Sequence, residues 1–154
     1  MSEWAATERI PARVGLAEGL VLQGEIHLQA RVALREGPEL PVEMLNRPEP
    51  FFPLSLPSGE VIFVSKAQVA VVAYRQVPAP EDPERQSAAR LIGLEIMLSG
   101  GAEYRGFAVS ELPPIRGRAS DFLNSAEAFF CLTTNEATVC IHRAHVRVAR
   151  PTGS

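Results

Sequence analysis

Apolar residues fall in short blocks along this chain, and the blocks are separated by turn-forming residues. In "FFPLSLPSGEVIFV" (51–64), two apolar runs flank Pro-Ser-Gly. Short β-branched and aromatic runs around such a cluster predict a β-hairpin. Pairing Phe52 with Val64 and Leu54 with Ile62 leaves Pro57-Ser58-Gly59 as the loop, with glycine at the position that needs a left-handed backbone. In "FFCLTTNEATVCI" (129–141), pairing Phe130 with Ile141 and Leu132 with Val139 leaves Asn135-Glu136 as a two-residue loop. Upstream, "VGLAEG" and "IMLSGG" each run apolar-x-Leu into glycine, the pattern of a strand ending in a tight bend. "GEIHLQARVAL" alternates as one long bent strand. Ser2 before "EWAATER" and Asp82-Pro83 before "ERQSAAR" are helix-start signals, so a short helix is expected ahead of each group of strands.

These patterns occur twice. With Leu45-Asn46 set on Leu123-Asn124, Phe51-Phe52-x-Leu54 falls on Phe129-Phe130-x-Leu132. After a one-residue gap, "VSKAQV" (64–69) falls on "IHRAHV" (141–146), and upstream Gly19 and Gly24 fall on Gly101 and Gly106. The gap lies in the hairpin loop, so the strand register is kept, and a slip of one residue would turn every side chain to the other face. The chain therefore reads as an internal duplication: a first repeat at 1–75, a Pro-rich linker at 76–87, a second repeat at 88–150 and a tail at 151–154.

The spacing in each copy, apolar-x-Leu-x-x-Gly, four residues, then Gly, resembles the first motif of the Sm/LSm/Hfq-like family. "SDFLN" (120–124) and "VEMLN" (42–46) resemble its end, and the basic-Ala-x-Val turns at 66–69 and 143–146 resemble its second motif. The chain departs from the family in the long insertion before the Asn and in lacking an Arg-Gly pair in the second motif. The resemblance implies a mainly β protein, two tandem SH3/Sm-like small barrels of about five strands each. It also implies RNA contacts by Asn46, Lys66, Gln68, Asn124, Arg143 and His145. The paired Asp-Phe-Leu-Asn and Phe-Phe-x-Leu blocks also resemble a bacterial family of unassigned function.

Charge weakens the RNA expectation. Net charge is −3 over 154 residues, whereas nucleic-acid binders are usually basic on one face. No apolar run approaches the roughly 20 residues of a membrane-spanning helix, and no secretory leader pattern is visible, so a cytoplasmic location is expected. Two cysteines are too few for a disulfide framework. Cys131, Cys140, His142 and His145 are metal-capable residue types, but "CIHRAH" lacks structural zinc spacing, so no metal or other cofactor is expected. No G-x-S-x-G, P-loop or G-x-G-x-x-G motif is present, and the chain is expected not to be an enzyme.

The outward side of the hairpins is the unusual feature. Phe52, Leu54, Ile62 and Val64 share one face and are expected inside, as are their counterparts Phe130, Leu132, Val139 and Ile141. The opposite face should be polar in an isolated antiparallel domain. Instead it carries Phe51, Pro53, Val61 and Phe63 in the first copy and Phe129, Cys131 and Cys140 in the second. These two faces are expected to cover each other in a pseudo-two-fold pair, with a second chain, as in a homodimer, the other way to cover them. The two Asn residues are expected to close turns by bonding their own backbone. The functional expectation is a non-enzymatic protein-interaction or regulatory module whose partner is another protein. An Sm-like RNA-binding protein is the alternative, and no membrane partner is expected.

Overall fold

The computed structural model describes residues 7–29, 39–75, 90–110 and 119–152. The chain is mainly β. Five strands, β1 (Thr7–Leu16), β2 (Val21–Gln29), β3 (Phe51–Ser55), β4 (Val61–Ser65) and β5 (Val69–Tyr74), come first, with a short helix α1 (Pro41–Asn46) between β2 and β3. Five more follow in the same arrangement: β6 (Arg90–Leu98), β7 (Glu103–Ser110), β8 (Phe129–Thr133), β9 (Thr138–His142) and β10 (Val146–Pro151), with α2 (Ala119–Leu123) between β7 and β8. A single 3-10 turn, Lys66–Gln68 or Arg143–His145, separates the last two strands of each half.

All ten strands belong to one sheet in the order β10-β6-β7-β8-β9-β5-β1-β2-β3-β4. Every pairing is antiparallel, and the sheet is open, with β10 and β4 at its two ends. Within each half the strand order is last-first-second-third-fourth. Two closed barrels are not what the pairing describes.

The hairpin registers follow the apolar pattern. Phe52 pairs with Val64 and Leu54 with Ile62, while Phe130 pairs with Ile141 and Leu132 with Val139. Gly59 has φ +92° and closes the first loop, and Thr134 N donates to Ala137 O around the second. Gly19 and Gly101 take the left-handed conformation in the β1–β2 and β6–β7 turns, at φ +105° and +93°. Gly24 and Gly106 serve a different purpose: a Cβ on either would collide with a backbone carbonyl of the neighbouring strand, Ser55 O or Thr133 O. Only glycine lets the strands approach so closely there.

Two buried clusters lie on the sheet. The first is built from Val14, Ile26, Leu28, Met44, Leu45, Phe52, Leu54, Val64, Val69 and Val72, the second from Leu94, Ile96, Leu98, Phe122, Phe130, Leu132, Val139 and Ile141. The halves exchange residues between them. Phe129 and Cys140 of the second half pack in the first cluster, and Ala70 and Val71 of the first half pack in the second. The β5–β9 pairing makes this exchange, with Val71 opposite Ile141 and Val72 opposite Cys140. Side chains alternate across a strand, so each of these two strands faces one cluster on each side. That is why "VAVVA" and "TVCIH" are apolar on both faces.

This arrangement corrects the expected pseudo-two-fold pair. The outer faces of the two hairpins do not cover each other: the second hairpin's outer face is buried by the first half, and the first hairpin's outer face is exposed. The halves meet edge to edge through β5 and β9. The expected helix around "EWAATER" is also corrected at its end, where Thr7-Glu8-Arg9 is strand. Residues 1–6, the linker at 76–87 and most of "PERQSAAR" lie outside the described residues. The 151–154 tail begins inside β10, and Thr152 N donates to Gly93 O, so the second half runs on past residue 150.

Candidate interaction surface

The outward side chains of β3 and β4 form an apolar surface at one end of the sheet. Phe51 is 54% exposed, Val61 46% and Phe63 70%, with Pro53 half-buried between them. Pro53 pairs with Phe63 and Phe51 with Ser65, which sets these side chains side by side. Among the described residues β4 pairs with β3 alone, so its far backbone edge lies beside the apolar surface. The equivalent residues of the second hairpin are inside: Phe129 is 1% exposed, Cys140 0%, and Cys131 is half-buried. The seven predicted surface residues thus divide into an exposed set and a set that seals the junction between the halves. Leu91, Phe107 and Val109 are further exposed apolar residues on β6–β7.

The two Asn residues also divide. Asn124 Nδ2 donates to Ser120 O at 2.8 Å within its own helical turn, the expected local role. Asn46 does something the sequence reading missed. Its Nδ2 donates to Phe129 O at 3.1 Å, and its Oδ1 accepts from Phe129 N at 2.8 Å. One carboxamide therefore satisfies both backbone groups of the residue that opens β8, and it clasps the first half to the second. His145 Nε2 lies 2.7 Å from Ala67 O and ties the two 3-10 turns together. Nothing local in the sequence marks these long-range bonds.

The basic residues of the basic-Ala-x-Val turns are internal fastenings. Lys66 is buried, and its Nζ donates to Met44 O at 2.9 Å and Arg47 O at 3.0 Å, satisfying carbonyls at the end of α1. Arg143 does the same for α2, donating from Nε to Leu123 O at 3.2 Å, from Nη2 to Phe122 O at 2.9 Å and from Nη1 to Glu127 O. Its guanidinium also lies against the Phe122 and Phe130 rings. Burial lowers the pKa of both groups. Helix-end carbonyls need donors, and these two cations supply them. Gln68 is exposed.

Cys131 and Cys140 are free thiols in direct cross-strand register, with sulfurs 3.5 Å apart. The thiol–thiol contact and then burial push the Cys140 pKa well above its usual value, so this thiol stays protonated and behaves as a small apolar group. The His142 ring lies edge-on to Phe129 and to His145, and its Nδ1 accepts from Ala144 N. Among the described residues no group of three or more His, Cys, Asp or Glu side chains is placed to hold a metal ion. Among the described residues no helix is long and apolar enough to cross a membrane.

No protein-family model, curated protein or solved structure matches this chain.

Proposed function

We propose that the chain is a non-enzymatic protein-interaction module that works in the cytoplasm and is built from two copies of a five-stranded, SH3/Sm-like β unit that share one open sheet. The observation that carries the reading is the apolar surface of Phe51, Pro53, Val61 and Phe63 beside the edge of β4 that no other described strand pairs with. Contiguous exposed apolar patches of this kind mark docking sites, and an open strand edge offers a partner a ladder of backbone hydrogen bonds. The duplicated-unit reading is supported by the shared element order, the matching bends at Gly19 and Gly101, and the matching close approaches at Gly24 and Gly106.

The Sm-like RNA reading draws less support. The donors of Lys66 and Arg143 are occupied by helix-end carbonyls, and Asn46 is occupied by Phe129. RNA affinity rests heavily on free cations facing phosphates.

The test is capture from a native lysate by the tagged chain, with and without nuclease. The reading predicts that a protein partner is retained after nuclease and lost on Phe63→Arg. Capture that vanishes with nuclease, or that Phe63→Arg leaves unchanged, would overturn it.

A further inference from the structure

The internal junction between the halves indicates what the exposed end of the sheet fits. Setting the halves on each other places β10 on β5 and β4 on β9. Inside the chain, the last strand of the first half (β5) pairs with the fourth strand of the second half (β9). One strand of each kind is then left over, β10 and β4, and these are the two ends of the sheet. We infer that the chain associates head to tail with further copies of itself, β10 of one copy pairing with β4 of the next as β5 pairs with β9 inside each. This rests on the reading of the β3–β4 face as an interaction surface and names its partner.

Exposure carries the argument. Positions that the internal junction buries are open at the ends. Val71 on β5 is 6% exposed, and its counterpart Val148 on β10 is 48% exposed. Thr138, Cys140 and Phe129 are buried, whereas their counterparts Val61, Phe63 and Phe51 are exposed. Carrying the internal register across sets Val148 opposite Val64, Ala149 opposite Phe63, Arg150 opposite Ile62 and Pro151 opposite Val61. The sizes suit one another. Inside, Cys140 lies opposite Val72; between copies the larger Phe63 lies opposite the smaller Ala149. The clasp has a counterpart as well. Asn124 occupies the position of Asn46, and Phe51 of the next copy occupies that of Phe129.

The junction between copies is weaker than the one inside. Arg147 and Arg150 are exposed on β10, and Pro151 has no N–H to donate at the end of the ladder. Such residues moderate an edge strand. Association is therefore reversible and rises with concentration. Because the two surfaces differ, the contact is heterologous and builds a ring if the rotation closes or a filament if it does not.

Sedimentation velocity on the full chain over a wide concentration range tests this, with circular dichroism confirming that each variant folds like the parent. The parent is expected to exceed its 16.7 kDa monomer mass as concentration rises. Phe63→Arg disables the β4 end and Val148→Arg the β10 end, so each variant alone is expected to be monomeric. An equimolar mixture has one working junction and is expected to form dimers and nothing larger. A parent that stays monomeric throughout, either variant associating alone, or a mixture that stays monomeric would overturn the inference. If the parent is monomeric yet Phe63→Arg abolishes capture of a different protein, head-to-tail association fails and the interaction face stands. If Phe63→Arg changes neither association nor capture, both fail.

Discussion

Asn46 and Asn124 occupy matching positions and do unequal work. Asn46 holds both the N–H and the C=O of Phe129, a buried residue, while Asn124 makes one bond inside an exposed turn. Leaving a buried backbone group without its partner costs about 1–3 kcal/mol, whereas a single solvent-accessible bond is worth about 1 kcal/mol or less. Asn46→Ala is therefore expected to lower unfolding free energy by the larger amount and Asn124→Ala by the smaller, measured by urea denaturation. Equal losses would contradict the clasp. The local turn bond was legible at Asn124 and is formed there, whereas Asn46 does not make it. The clasp was not legible, because it joins residues 83 positions apart. Lys66 and Arg143 show the same limit: a basic residue in a turn reads as a surface cation until the carbonyls it meets are known.

Two imidazoles make stability depend on pH. His27 is held below the ordinary 6.5 by burial and then by Arg9, and His142 by burial and then by His145. For both, the unfolded chain takes up its proton at higher pH than the folded chain does. Their contribution to stability is therefore full above about pH 6.5 and falls as pH drops below it, until the folded imidazoles protonate in turn. The urea midpoint is expected to fall between about pH 7.5 and about pH 5.5, and His142→Gln is expected to flatten part of that slope. A midpoint that rises on acidification through this range would contradict the assignment.

Among the elements, the hairpins were the most legible, because apolar alternation constrains register in both and a loop glycine, Gly59, also does so in the first. The predicted pairs Phe52–Val64, Leu54–Ile62, Phe130–Ile141 and Leu132–Val139 are those formed. The helices were not legible. α1 and α2 have six and five residues, too few for a helical period to emerge from the sequence. α1 depends on local chemistry instead, with Pro41 at its start and the Glu43 carboxylate accepting from Leu40 N at 2.7 Å. The glycines separate two kinds of constraint. Gly19→Ala meets open space but keeps a positive φ, a cost of about 1–2 kcal/mol. Gly24→Ala and Gly106→Ala drive a methyl into a strand's backbone and are expected to cost more than Gly19→Ala. Thermal midpoints of the three variants check the order, and a Gly19→Ala loss exceeding the other two would contradict the close approaches.

For the molecule as a whole, two sets of five strands follow one another in the same element order, and the apolar outer faces of the hairpins posed the right question. The answer differed from the expected pairing because alternation shows which side of a strand is apolar but not which neighbour covers it. β5 and β9 each serve two clusters, so neither half completes its interior alone. The described chain is expected to unfold in one cooperative step, with calorimetric and van't Hoff enthalpies equal. Two resolved transitions would contradict the shared interior.

The central claim is that the two ends of the sheet repeat the junction at its centre. Amide hydrogen exchange on the unmodified chain at low and high concentration tests it most directly. The account predicts that protection of Val61–Ser65 in β4 and Val146–Pro151 in β10 rises together with concentration, while β5 and β9 are protected at both. Protection in β4 and β10 that does not change with concentration, or that changes in one without the other, would contradict it.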